Sequence, residues 1–96
     1  MARIVRTHPA RDDVRQIWLH VAQHNLTAAD RLIDRFDRTL RTLARNPLIG
    51  ESAEHYRAGL RRFTVGNYVL YYEMISEGVR LVRVLHGFRK IDELLE

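Results

Sequence analysis

The stretch LRRFTVGNYVLYYEMISEGVRLVRVLH, residues 60–86, decides the fold. It is rich in β-branched, aromatic and leucine residues, and it is interrupted by Gly66-Asn67 and by Ser76-Glu77-Gly78. Runs of this kind bounded by turn residues read as strands, here over Leu60–Val65, Tyr68–Ile75 and Val79–His86. Gly66-Asn67 is a two-residue hairpin signal. With those two at the turn, Val65 pairs with Tyr68, Phe63 with Leu70 and Arg61 with Tyr72, and residues directly opposite share a face. One face then holds Phe63, Val65, Tyr68, Leu70, Tyr72 and Met74, apolar enough to receive helices. The other holds Leu60, Arg62, Thr64, Val69, Tyr71 and Glu73. The third strand has two possible registers. A three-residue second turn sends Val82, Val84 and His86 to the helix side and leaves Leu81, Arg83 and Leu85 on the open face. A two-residue turn exchanges the faces, because side chains alternate with period two.

The residues before this meander supply the covering layer. Arg3 to Thr7, centred on Ile4 and Val5, reads as a short strand that can pair with the meander. His8-Pro9 breaks it, and proline suits a first helical turn. Val14, Ile17, Trp18 and Val21 then recur at helical spacing, predicting a helix from about Ala10 to His24, with Asn25 as its stop. Thr27-Ala-Ala-Asp30 has capping-box spacing for a second helix. Its apolar stripe is Ala29, Leu32, Ile33, Phe36, Leu40 and Leu43, and Asn46-Pro47 ends it. Its outer face carries Arg31, Asp34, Arg35, Arg38, Arg41 and Arg45, with Asp34–Arg38 and Asp37–Arg41 spaced for ion pairs. Residues 47–59 are irregular, and Ile91 to Leu95 reads as a short terminal helix. The predicted class is α+β, β-α-α-β-β-β with a helical tail: a small, mostly antiparallel sheet with a helical hairpin on one face.

The chain has 96 residues, enough for one domain over 1–96. It contains no cysteine, which excludes a disulfide scaffold, a thiolate metal site and a cysteine nucleophile. The N-terminus has no signal-peptide core, and no apolar run reaches membrane-spanning length, so the expected location is cytoplasmic. Net charge is +4 and pI about 10.1, with Lys90 the only lysine. Arginine suits phosphates and carboxylates through its planar fork. An arginine-rich codon usage or an acidic partner accounts for the excess equally well.

The order Ala10, Asp12-Asp13, Ile17, Ala28-Ala29, Leu43, Asn46-Pro47, Gly50, Leu60-Arg61-Arg62-Phe63, Val69 to Tyr72, and Val82 to Gly87 with Arg89 resembles the ParE branch of the ParE/RelE toxin superfamily. The resemblance covers nearly the whole chain. It implies a toxin of a type II toxin–antitoxin system, neutralised by a cognate antitoxin whose helix and extended tail wrap it in a hetero-oligomer. ParE-like members act on DNA gyrase and RelE-like members cut mRNA on the ribosome without a metal. The Val84-Leu-His-Gly87 ending resembles the former, and no tyrosine follows His86, as a RelE-like tail would have. A third reading is a non-toxic, degenerate binding module.

Two site assignments follow. The open sheet face, with Leu60, Arg62, Tyr71, Leu81, Arg83 and Leu85, is the expected contact for antitoxin or target, since so much apolar surface calls for a cover. That cover is either the terminal helix or a partner chain. If the chain is a nuclease, Arg62 and Arg83 would hold the phosphate, His86 would transfer protons, and Arg89, with Lys90, would assist. The same arginines read equally well as snorkelling sheet residues, and His86 as a structural residue on the helix side. His20 and His24 stand four apart, but no third metal ligand is apparent. No metal, cofactor or membrane contact is expected.

Overall fold

The computed structural model describes residues 2–87, 89, 91 and 94. The elements are β1 (Arg3–Arg6), α1 (His8–Ala22), α2 (Leu26–Arg45), β2 (Glu51–Ser52), β3 (Leu60–Val65), β4 (Tyr68–Ile75) and β5 (Gly78–His86). The strands form one sheet in the order β1-β5-β4-β3-β2. β1 lies parallel to β5, and every other neighbouring pair is antiparallel. The α+β class is as expected, while β2 is an addition from the irregular stretch. Of the expected helical tail, only Ile91 and Leu94 are among the described residues; the rest of that expectation, and Lys90, lie outside them.

Around Gly66 the chain follows its turn chemistry. Gly66 adopts φ +59, and Val65 faces Tyr68, Phe63 faces Leu70 and Arg61 faces Tyr72. β5 uses both of its possible registers, one on each half. Its turn is Ser76-Glu77, with Ile75 opposite Gly78, which puts Val79 and Leu81 on the helix side opposite Met74 and Tyr72. A bulge then leaves Val82 without an opposite residue, so Arg83 faces Tyr71, Val84 faces Leu70 and His86 faces Tyr68. Leu81, assigned above to the open face, is therefore part of the helix-side core, at 1% exposure. One extra residue shifts the alternation without breaking the apolar pattern, which is why the bulge leaves no mark in the composition. Gly78 admits β1: a Cβ there would stand 1.8 Å from the Arg3 carbonyl oxygen.

The bulge also anchors the first helix. Thr7 caps α1, its hydroxyl accepting from the Ala10 amide at 3.1 Å and donating to the Val82 carbonyl at 2.8 Å. α1 therefore starts at His8 rather than Ala10. The expected Thr27–Asp30 capping box does not form. Asn25 caps α2 through its side chain, accepting from the Ala28 amide at 3.0 Å. An asparagine outside the helix satisfies an orphan amide that Thr27, already within the first turn, cannot reach in the same way. Asp30 instead accepts from the Trp18 indole at 2.9 Å, tying the two helices.

The helix-side core joins Ala10, Phe36, Leu40, Val65, Leu70, Leu81 and Val84, and continues into Leu43, Ala44, Tyr72 and Val79. Burying side chains the size of Phe36 and Leu40 stabilises by about 1.5–3 kcal/mol each. Tyr72 closes one end of this layer. Its hydroxyl donates to the Pro47 carbonyl at 2.7 Å and accepts from the Gly50 amide at 3.0 Å. A Cβ at Gly50 would meet that hydroxyl at 2.3 Å and the Arg62 carbonyl at 2.6 Å, so only glycine fits.

Candidate functional site

The far face of the sheet carries a second apolar cluster: Leu60, Tyr71, Val82 and Leu85 from the strands, Ala53 from the β2–β3 connection, and Ile91. Val69 and Leu94 pack at its margin. This face is not bare. Leu60 is fully buried and Leu85 is 2% exposed, so the chain itself supplies the cover that either a terminal helix or a partner was expected to provide.

The predicted row Arg62–Tyr71–Arg83 exists as a register: Arg62 opposes Tyr71 and Tyr71 opposes Arg83. Both arginines are engaged, however. The Arg83 guanidinium makes a two-point bond to Asp13 on α1, Nε and Nη2 each at 2.7 Å, and its Nη1 donates to the Leu94 carbonyl at 3.2 Å. One oxygen of Asp13 also accepts from the Val84 amide at 3.0 Å, on the edge of β5 beyond the end of β1. The Asp13 bond raises the Arg83 pKa above its usual value, against the pull of desolvation. Arg62 donates to Glu51 at 2.6 Å, and this bond raises its pKa too. Burial lifts the Tyr71 hydroxyl above the ordinary phenol value, with Tyr56 adding and the Arg62 guanidinium opposing. One row further along, Glu73 accepts from Arg80 at 2.7 Å and Arg57 at 3.2 Å. The face is thus an apolar patch framed by satisfied ion pairs.

His86 points the other way, to the helix side, as the first register anticipated. Its ring meets Tyr68 edge-on at 5.7 Å, and Tyr68 meets Phe36 likewise at 5.8 Å. His86 and Arg89 line a groove of about 260 Å³ between α1 and β5, with Gln16, His20 and Tyr68. The four nuclease candidates therefore divide: His86 and Arg89 share this groove, Arg62 lies on the far face, and Arg83 is clamped to Asp13. His20 and His24 contact each other edge-on at 6.0 Å, and no group of three metal-binding side chains occurs among the described residues. No helix among the described residues is long and apolar enough to cross a membrane.

Sequence reasoning missed the role of Asp13, which entered only as one of the residues carrying the resemblance, and it missed Glu51 and Glu73 as partners. Asp13 and Arg83 are 70 residues apart, and no local spacing joins them. Glu73 was legible in part, since it shares a face with Leu60.

A family model described as the ParE toxin of type II toxin–antitoxin system, parDE, matches residues 4–91. The chain is similar to Toxin ParE3 of Caulobacter vibrioides, 28% identical over 88 residues, covering 91% of this chain and 88% of the relative. It is also similar to Toxin ParE1 of the same organism, 31% identical over 78 residues and 80% of each chain. Among solved structures, a chain of the chromosomal ParDE TA system from P. aeruginosa superposes with a TM-score of 0.73 at 16% identity. That match covers 90% of this chain and 96% of the other, and at such identity it speaks for the fold.

Proposed function

The chain belongs to the ParE toxin family of type II toxin–antitoxin systems, and from that premise we propose that it is a cytoplasmic inhibitor of DNA gyrase neutralised by a cognate antitoxin. The observation that carries this reading is the family match over residues 4–91. The division of the nuclease candidates adds weight. Metal-free RNA cleavage needs a proton-transfer group and phosphate-holding cations around one atom. Here His86 and Arg62 lie on opposite faces of the sheet, and the Arg83 fork is occupied by Asp13. A binding toxin has no such requirement.

On this reading the antitoxin would contact the far sheet face and the helical hairpin. Arg62 and Val69 are partly exposed there, whereas Leu60, Tyr71 and Leu85 are buried and would meet an antitoxin only if residues packed with them, such as Ala53, Tyr56 and Ile91, gave way. Leu81 takes no part, being enclosed beneath the helices, and Arg83 would act by holding Leu94 rather than by touching the partner.

Induction of the chain without antitoxin tests the reading. Activation of the SOS response with intact mRNA is expected. Rapid codon-dependent mRNA cleavage without DNA damage would replace it with the ribosome-dependent endoribonuclease, and confirmed expression without growth arrest would leave a non-toxic binding module.

A further inference from the structure

The outer face of α2 carries Arg31, Arg35, Arg38, Arg41 and Arg45, all exposed. The spacing suggested internal ion pairs, Asp34 with Arg38 and Asp37 with Arg41, yet neither forms. Asp37 accepts instead from Arg6 at 3.3 Å, across to β1, and Asp30 is taken by Trp18. Among the described residues, none of the five guanidinium groups has an ion-pair partner. At 100° per residue, Arg31, Arg35, Arg38 and Arg45 fall within one quadrant of the helix, opposite buried Leu40, with Arg41 just beside them. The stripe runs about 21 Å along the axis at about 1.5 Å per residue. Only Asp34 interrupts its charge.

We infer that this stripe binds the phosphate backbone of duplex DNA, without reading its sequence. Arginine forks match phosphate oxygens, and a row on a rigid helix engages several at once. An acidic protein is the poorer fit. Protein interfaces draw their energy from apolar and aromatic anchors at a desolvated centre, and the face from Arg31 to Arg45 offers only arginine, aspartate and threonine. Nucleic-acid interfaces are polar and strongly positive. The choice of DNA over RNA rests on the gyrase reading; the phosphate contact itself does not.

The test is fluorescence anisotropy of the purified chain with a short labelled DNA duplex across a range of salt, without gyrase. Each phosphate neutralised contributes about −0.9 to the slope of log K against log salt. Three to five arginines engaged therefore predict a slope of about −3 to −4.5. The triple variant R31Q/R35Q/R38Q should flatten it by about 2 to 3 and weaken low-salt binding at least ~10-fold. Glutamine is a comparable helix former, so circular dichroism should be unchanged. If the variant does not fold, the wild-type slope and a competition series decide. A slope near zero, an unaltered slope in the folded variant, better competition by polyglutamate than by unlabelled DNA, or tighter binding to an RNA duplex would each overturn the inference. Because gyrase is absent from the assay, DNA binding can fail while gyrase inhibition stands, and the reverse.

Discussion

The arginines of the sheet and the arginines of α2 are the same group in two settings. In the sheet, Arg83 is forked onto Asp13, while single bonds tie Arg80 to Glu73, Arg62 to Glu51 and Arg6 to Asp37, and Arg61 donates to the Leu48 and Gly50 carbonyls. These cations stitch elements together, and each is spent on the fold. On α2 the five guanidinium groups face water, and two of the helix's three acids, Asp30 and Asp37, are held elsewhere. Counting arginines against aspartates and glutamates says little about binding, because the positions of the acids decide which arginines remain available. A positive chain of +4 can thus have a nearly neutralised sheet and one concentrated basic stripe.

The contrast is broken most directly at Asp13. The Asp13–Arg83 side chains are only 11% and 16% exposed, and removing one partner of such a pair leaves a charge with nothing to balance it. Asp13→Ala should lower the unfolding free energy in urea by about 3–5 kcal/mol. The double variant with Arg83→Met should recover part of that loss, since it removes the orphaned charge. A loss under ~1 kcal/mol for Asp13→Ala would mean that the sheet arginines are no more structural than those of α2. Arg61→Met comes next, at about 1–2 kcal/mol. It gives up the bonds to the Leu48 and Gly50 carbonyls, but it also relieves a buried Nε that has no acceptor. Its effect should appear chiefly as looser packing of the 47–50 loop, seen in faster amide exchange at Gly50.

The same comparison marks what was legible in the sequence. The β3–β4 register followed from Gly66-Asn67 because a two-residue turn leaves no freedom of pairing. The helical hairpin followed from its apolar periodicity. What escaped was non-local or depended on one residue. The bulge at Val82 needs the parallel strand β1 on one half of β5 and the Thr7 cap on the other, and neither is visible in the local pattern. The Thr27–Asp30 box lost to Asn25 because the first helical turn begins two residues earlier, at Leu26. For the candidate site, the Arg62–Tyr71–Arg83 row could be read from pairing, while the acids that occupy it could not. Helix spacing also misled on α2: of the two aspartates placed for i,i+4 pairs, Asp37 is taken by Arg6 from β1, and Asp34 makes no ion pair with Arg38 among the described residues.

Glu51→Ala should show a smaller effect still. Glu51 is two-thirds exposed, and its bond to Arg62 spans a two-residue edge strand. The expected cost is about 0–1 kcal/mol, shrinking as salt is added. A cost that persists in high salt would place Arg62 with Arg83 as a structural residue, and would weaken its claim to a partner.

Arg38→Gln should be the least visible of all in stability, within about 0.5 kcal/mol of the parent. The sign is informative. Arg38 lies three residues from both Arg35 and Arg41, so the substitution relieves repulsion worth a few tenths of a kcal/mol and forfeits a similar attraction to Asp34. Asp34→Asn isolates the second part: it leaves the five cations without their single local counter-charge, so it should lower stability slightly at low salt and not at high salt. The same change should strengthen DNA binding, where Arg38→Gln weakens it. Opposite movement of affinity, with stability almost still, is the pattern a free basic face produces. If Arg38→Gln instead cost as much as Arg61→Met, the α2 arginines would be structural after all, and the difference between the two regions would disappear.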